Sequence, residues 1–434
     1  MVITPFMKII ERRNERYIWV FTTGKIYKVS EKYYEVINSL KESKGLLSIN
    51  IDKNIKSDLI NARILIESIE AEVQKLLQEL DNSFLKSREL SLTILATENC
   101  NFRCVYCYEK FENNLISEDV INSILKFISK EIKRRKLQKI DIVWFGGEPL
   151  LAINRIKLFS QRLTELIKNK NIIYTGHMST NGYLLKEKTA NILINKFNIK
   201  NFQITVDGPK EIHDKYRPLK NGKGTYDIII KNLKTLRDSN LKFHIFIRIN
   251  YDRSSIYKIM DWLPDFLENF RNDERFSLYP HEIFGQSNVC MSPKIPFDMI
   301  KLALSYNLGN KLSSLYYKFN FCYAARPDSL VIMPDGSLRK CTVALYDKEN
   351  FVGHINKNGD LVLNENFNKW VNLYKQVPEK CKICTIFPIC MGINCPLVRL
   401  TSDSTLPCPP SLFNINFSFE NILNEKGGER HGTH

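Results

Sequence analysis

Three cysteines, Cys100, Cys104 and Cys107, stand at C-x3-C-x2-C, with Phe102, Tyr106 and Tyr108 between and after them. Three thiols cannot all close as disulfides. A structural zinc ion wants a fourth sulfur or nitrogen ligand nearby. Iron–sulfur cubanes take thiolates at such close spacings, and a cubane with three protein ligands keeps one iron open. A second group lies far downstream. Cys322, Gly336 and Cys341 read C-x13-G-x4-C, Cys381, Cys384 and Cys390 read C-x2-C-x5-C, and Cys395 and Cys408 follow. Zinc ribbons also use C-x2-C pairs. Cys290 belongs to neither group.

Eleven cysteines argue for metal or redox chemistry over a disulfide framework when the chain is cytosolic. A cytosolic location is expected: the first residues carry Glu11, Arg12, Arg13, Glu15 and Arg16 and no apolar run, so they are no signal peptide. No stretch is apolar enough to span a bilayer, so no membrane partner is expected. The formal charge is +16. An RNA partner would use that charge, but no arginine-rich run or RNA-binding motif accompanies it. A solvated basic surface accounts for it instead, or a basic groove for an acidic peptide. A length of 434 residues leaves room for more than one domain.

The elements that must position the first cysteines alternate strand and helix. Leu92–Leu95 reads as the strand before the cysteine loop, and Val120–Ile132 as a helix. Ile140–Phe145 is a strand ending in Gly146-Gly147-Glu148-Pro149, with Ile156–Ile167 helical after it. Ile172–Tyr174 leads to Ser179-Thr180-Asn181-Gly182. Phe202–Val206 ends in Asp207-Gly208-Pro209. Phe243–Asn250 and Phe276–Tyr279 complete the series. Such alternation predicts parallel strands with covering helices. Six units make a partial (β/α)6 barrel, whose chemistry collects at the carboxyl ends of the strands. Every polar motif just named falls at such an end.

With Tyr106 before its last cysteine, the C-x3-C-x2-C loop resembles the radical-SAM signature. Gly146, Gly147 and Glu148 resemble the GGE-P element that holds the amino group of S-adenosylmethionine (SAM). Asn181 and Gly182 resemble the TNG element, and Thr205 and Asp207 match the family's I-S-L-D-G-P string. The resemblance places these, with Tyr106, against SAM. His213-Asp214-Lys215-Tyr216-Arg217-Pro218 is similar to H-D-x-x-R-P, so Arg217 is expected to reach an acid, either on the substrate or Asp207, with a catalytic or a structural role. Arg248 and Asn250 are weaker candidates. The C-terminal cysteines resemble the SPASM domain with two auxiliary [4Fe–4S] clusters. By family topology Cys381, Cys384, Cys390 and Cys408 hold the outer one, and Cys322, Cys341 and Cys395 the inner one. The Cys390-x4-Cys395 spacing is one residue longer than the family's, which puts the assignment of Cys395 in question. The resemblance covers roughly residues 90–410. It leaves Cys290 as the fourth inner ligand, as a free thiol, or as a bystander to an open iron that takes a substrate thiolate; the open iron is the favoured expectation.

Residues 1–85 read as a separate module. Tyr17–Phe21 and Ile26–Val29 form a hairpin, Ser30 caps a helix over Glu31–Lys41, and Asp58–Leu80 has apolar residues at helical spacing. This is similar to the winged-helix-like modules that bind leader peptides. The expected domains are 1–85, a barrel at 90–309, the auxiliary-cluster domain at 310–412 and a tail at 413–434. The resemblance implies an enzyme that forms a 5′-deoxyadenosyl radical and modifies a ribosomally made peptide, with a thioether cross-link as the favoured outcome. It implies a precursor peptide with a leader and a flavodoxin- or ferredoxin-type electron donor as partners. Carbon–carbon cross-linking, sulfatase maturation, RNA modification, and a non-catalytic iron–sulfur carrier or zinc scaffold are the competing readings.

Overall fold

The computed structural model describes residues 1–42, 51–112, 114–283, 294–310, 318–401 and 415–426. They form two compact units. Unit 1 takes residues 1–86, 311–326 and 369–434, and unit 2 takes 87–310 and 327–368.

In unit 1, β1 (Val2–Ile3) pairs with β5 (Leu65–Ile66), and β2 (Met7–Arg12), β3 (Glu15–Val20) and β4 (Lys25–Val29) form an antiparallel sheet. The β2–β3 turn is two residues long, and both, Arg13 and Asn14, have positive φ. That geometry matches the twist of the strands it joins. Its N-terminal helices are α1 (Glu31–Glu42), α2 (Lys53–Asn61) and α3 (Ile69–Leu85). The expected helical stretch over 58–80 is two helices, because the chain turns at Arg63 (φ +58°) and pairs through β5 before Ser68 caps α3. Alternation along β3 divides its side chains between two cores. Ile18 and Val20 pack with Ile37, Leu40, Ile55 and Leu59. Trp19 packs the other way, with Phe21, onto Ile386, Ile389, Phe419 and Ile422, and Cys384 and Cys390 lie against this cluster. From α3, Val73, Leu76 and Leu80 join Phe6 against Phe387, Met391 and Ile393, beside Cys381 and Cys384. Unit 1 thus joins residues from the expected first module to residues of the second cysteine group.

In unit 2, β6 (Glu89–Thr97), β7 (Lys139–Gly146), β8 (Ile173–Thr180), β9 (Ile199–Thr205), β10 (His244–Tyr251) and β11 (Phe276–Glu282) are parallel and neighbour one another in chain order. The connecting helices include α4 (Glu118–Arg135), α5 (Ile153–Ile167), α6 (Glu187–Phe197), α7 (Lys210–Tyr216), α8 (Tyr226–Arg237) and α9 (Ile256–Glu268). This is the expected α/β partial barrel. The sheet also continues past β6. Strand β12 (Ser329–Ile332) runs parallel to β6, and β13 (Ser337–Arg339), β14 (Phe351–Ile355) and β15 (Leu361–Leu363) follow antiparallel. Among the described residues no helix is long and apolar enough to cross a membrane.

Candidate active site

The cysteine loop leaves the carboxyl end of β6 and is held by the segment after α7. Arg103 and Val105 donate their N–H groups to the carbonyls of Pro218 and Tyr216 (both 2.9 Å), and Lys220 donates to the Asn101 carbonyl (2.9 Å). Phe102 and Leu219 form an antiparallel bridge. The H-D-x-x-R-P stretch therefore buttresses the loop through its backbone, which no single-residue reading of the motif reveals.

Cys100 is buried, Cys104 and Cys107 are half-buried, and none is in a disulfide. Burial pushes the Cys100 thiol up to about 12 and the Cys107 thiol up to about 11; Cys104 and Cys107 raise Cys100 further, and Cys104 raises Cys107. Three such thiols stay protonated at neutral pH unless a metal centre takes the proton's place. Among the described residues no three His, Cys, Asp or Glu side chains converge on a single ion. Thiolates of a cubane have no need to, since each binds a different iron. Donors already face Cys100 Sγ: the Phe102 N–H at 3.4 Å and Asn181 Nδ2 at 3.9 Å. Hydrogen bonds to sulfur are one of the protein's means of tuning an iron–sulfur centre.

The end of β7 lies directly against this loop. Gly147 N–H bonds Thr97 O (3.0 Å), and Glu148 N–H bonds Asn99 O (2.9 Å). A Cβ on Gly147 would stand 2.3 Å from Asn99 O, and one on Gly146 (φ +113°) 2.1 Å from Thr97 O. The glycines are thus required by the contact between the two strand ends. Glu148 is fully buried. Its carboxylate accepts from Leu150 N–H (2.9 Å), Thr180 Oγ1 (2.7 Å) and Asn181 N–H (2.7 Å). Burial raises its pKa, and these three bonds oppose the rise. Asn181 also donates to Asn101 Oδ1 at 2.8 Å. One buried carboxylate therefore ties β7 to β8 beside Cys100.

A second group forms around Tyr106. Its hydroxyl donates to Asp207 Oδ2 and accepts from Arg217 Nη1 (2.8 Å) and Asn250 Nδ2 (3.1 Å). One donor and two acceptor sites exhaust a phenol. Asp207 Oδ1 accepts the Asn250 N–H at 2.9 Å, and Arg217 Nη1 lies 3.9 Å from Asp207 Oδ2. Burial raises the pKa of Asp207, against the pull of Arg217. Burial also works against the Arg217 charge, but Tyr106, Cys104 and Asp207 outweigh it. Arg217 thus meets Asp207 across Tyr106. Thr205 sits at the end of β9, opposite Arg248, whose Nε bonds Asn250 Oδ1 (2.7 Å).

The other side of the loop uses residues outside the motifs. Tyr346 bonds Glu98 Oε1 (3.0 Å) and accepts the Lys110 N–H (3.4 Å), while Glu109 is buried and neither carboxylate oxygen has a partner among the described residues. Tyr346 is far away in sequence and carries no local signal.

Of the second cysteine group, Cys381, Cys384 and Cys390 come together in unit 1 on short helical turns, with Cys384 N–H bonded to Cys381 O (3.1 Å). Cys322 and Cys395 are also in unit 1, and Cys341 is in unit 2. The Cys341 loop is closed by the buried Asn350, which bonds both its N–H (2.9 Å) and its carbonyl (2.7 Å). Cys290 and Cys408 lie outside the described residues.

Residues 94–263 match the Radical SAM superfamily model. The chain is 29% identical over 343 residues to a cysteine-type anaerobic sulfatase-maturating enzyme of Clostridium novyi, covering 70% of this chain and 87% of the relative. It is 24% identical over 423 residues to the radical SAM cyclopropyl synthase TigE of Paramaledivibacter caminithermalis, covering 85% and 84%. Two solved structures share the fold. The anSMEcpe structure with bound AdoMet and Kp18Cys peptide has TM-score 0.56 and 20% identity, over 78% of this chain and 97% of that one. Streptococcus suis SuiB bound to precursor peptide SuiA has TM-score 0.51 and 17% identity, over 95% and 100%.

Proposed function

We propose that this chain, a member of the radical SAM superfamily, modifies a ribosomally made peptide and installs a thioether between a cysteine sulfur and a carbon of another residue. It is a radical SAM enzyme related to peptide and sulfatase maturases. Its cofactors are SAM, the [4Fe–4S] cluster that binds SAM, and two auxiliary [4Fe–4S] clusters. When bound, the first cluster supplies an electron that splits SAM into methionine and a 5′-deoxyadenosyl radical, the species that takes hydrogen from the peptide.

The observation that carries the reading is the loop of three free, mutually close cysteines clamped between the ends of β7 and β8 and the backbone of 216–220. In this reading Cys100, Cys104 and Cys107 hold the SAM cluster, with Phe102 N–H and Asn181 steadying Cys100. Glu148 takes three donors and has room for about one more, which suits the SAM ammonium. Asn181, Thr205 and Asp207 supply further polar contacts at the same strand ends. Tyr106 and Arg217 hold the loop in place. Cys381, Cys384 and Cys390, with Cys408, take one auxiliary cluster, and Cys322, Cys341 and Cys395 the other. Cys290 leaves that second cluster an open iron. Residues 1–85 recognise a leader, 90–309 form the catalytic domain and 310–412 the auxiliary-cluster domain. An external flavodoxin- or ferredoxin-type donor supplies electrons. The length matched to SuiB, bound in its structure to a precursor peptide, supports a peptide substrate.

Reconstituted protein with reductant and SAM should form 5′-deoxyadenosine slowly without substrate, and Cys104→Ala should abolish it. Undiminished product from that variant removes the assignment of the triad. Sulfatase maturation is the second reading, supported by the similarity to the Clostridium novyi enzyme. Faster turnover with a sulfatase-derived cysteine peptide than with a cysteine-bearing precursor would favour it.

A further inference from the structure

Near Cys381 and Cys390 lies a cation with no carboxylate partner among the described residues. Arg399, on the short helix Pro396–Thr401, donates through Nη1 to the carbonyls of Leu373 and Gly392 (both 3.0 Å) and through Nη2 to the Gln376 carbonyl (2.6 Å). All three acceptors are neutral. The guanidinium is half-buried and fixed from three directions, an arrangement that orders a charge without neutralising it.

Gly392 links this head group to the thiols. Its carbonyl takes the Arg399 bond, and its backbone and that of Asn394 lie beside the Cys390 sulfur. A Cβ at Gly392 (φ +66°) would lie 3.6 Å from Cys381 Sγ. The Arg399 N–H bonds Cys395 O at 3.1 Å. Burial disfavours the Arg399 charge, while Cys381 and Cys390 favour it.

We propose that Arg399 is a positioning residue for electron transfer: the built-in counter-ion of the iron–sulfur cluster at Cys381, Cys384 and Cys390, which holds that cluster's reduction potential up. The proposal rests on the cluster assignment made above. A cubane with thiolate ligands is an anion, and reduction adds one more negative charge. A fixed cation beside it stabilises the reduced form more than the oxidised one, and net charge is one of the determinants of such potentials. Guanidinium suits the role because it stays protonated in any protein environment.

The test is an EPR-monitored reductive titration of the full-length, anaerobically reconstituted protein, with iron content measured in parallel. Signals that SAM leaves unchanged report the auxiliary clusters. In Arg399→Gln, iron content should hold while the reduced-to-oxidised ratio of one auxiliary signal falls at least about tenfold at fixed poise, about 59 mV for one electron. Arg399→Lys keeps the charge but not the three-carbonyl clamp, and should stay within about threefold of wild type, about 28 mV on the same scale. An unshifted signal in Arg399→Gln overturns the proposal, and so do equal shifts in both variants, which would credit the clamp. If Arg399→Gln loses the cluster, a lysine variant that retains it at wild-type potential supports the charge, and loss in both overturns it. Wild-type protein without any SAM-insensitive signal overturns the cluster assignment itself, a result distinct from an unshifted signal.

Discussion

Arg217 Nη1 donates to the Tyr106 hydroxyl at 2.8 Å, and through that hydroxyl the guanidinium reaches Asp207. A tyrosine of the cysteine loop is thereby locked to the ends of β9 and β10. Tyr106→Phe keeps the ring and removes the joint, leaving Arg217, Asp207 and Asn250 each short of a partner. Leaving a buried polar group unsatisfied costs about 1–3 kcal/mol. The loop between Cys104 and Cys107 should then lose its register. The expected result is soluble protein whose rate of 5′-deoxyadenosine formation falls on the order of tenfold to a hundredfold, as for misplaced reacting groups. A wild-type rate would show that the hydroxyl does not position the loop.

Gly147 and Gly222 separate two reasons for a glycine. A Cβ on Gly147 would lie 2.3 Å from Asn99 O and 2.6 Å from Glu98 O, whereas Gly222 has φ +80° and open space around it. Gly147→Ala must push β7 away from the cysteine loop, and overpacking of this kind costs about 1–3 kcal/mol or more. Gly222→Ala meets only backbone strain of about 1–2 kcal/mol. The first variant should lose iron at the SAM site and the second should keep it. Iron and acid-labile sulfide assays decide, and equal retention in both would mean the strand ends tolerate separation.

The readable part of the chain was the part whose signal is local. The cysteine triad, Gly146-Gly147-Glu148 and Asp207-Gly208-Pro209 each occupy one short stretch at the end of a strand with a clear apolar run. Strands β12 to β15 were not foreseen. They are three to five residues long, and β12 is buried throughout because it adds to β6, so it shows no alternation. The break at Arg63 was hidden because the residues after it resume an apolar spacing that fits a continuing helix. The sequence marks the polar positions but not their partners. Glu148 faces Thr180 and Asn181, Arg217 faces Tyr106, and Tyr346 reaches Glu98, all contacts between residues far apart in sequence.

Trp19 tests whether residues 1–86 are dispensable. It is 2% exposed and packs with Phe21 on Ile386, Ile389 and Phe419, against Cys384 and Cys390. Trp→Ala in such a setting costs about 3–5 kcal/mol. Deleting residues 1–86 uncovers these residues together with Phe387 and Ile393, so the truncated chain should aggregate or lose auxiliary iron. Trp19→Phe should keep both solubility and iron. A soluble truncation with full iron content would show that the C-terminal cysteines need no N-terminal cover.

The last prediction concerns acid. His213 is fully buried, Nδ1 accepts the Asp207 N–H at 3.2 Å, and Nε2 therefore carries the hydrogen and faces Thr225 Oγ1 at 3.1 Å. The Thr225 hydroxyl in turn donates a hydrogen bond to the Arg217 carbonyl at 2.7 Å. Burial, then Arg217, hold the imidazole pKa well below its ordinary 6.5. His281, with Nδ1 against Glu282 O, is lowered to about 4 by burial and by Arg248. For both groups the unfolded chain takes up a proton that the folded chain refuses. Stability is therefore unaffected above the unfolded pKa and falls as pH drops through about 6.5, by up to about 1.4 kcal/mol per pH unit for each group. His213→Asn keeps an acceptor for the Asp207 N–H and cannot be protonated. Its denaturant midpoint should be lower than wild type at pH 8, while its decline between pH 6.5 and pH 5 should be shallower. Parallel pH profiles for the two proteins would show that His213 is not the residue that the acid titrates.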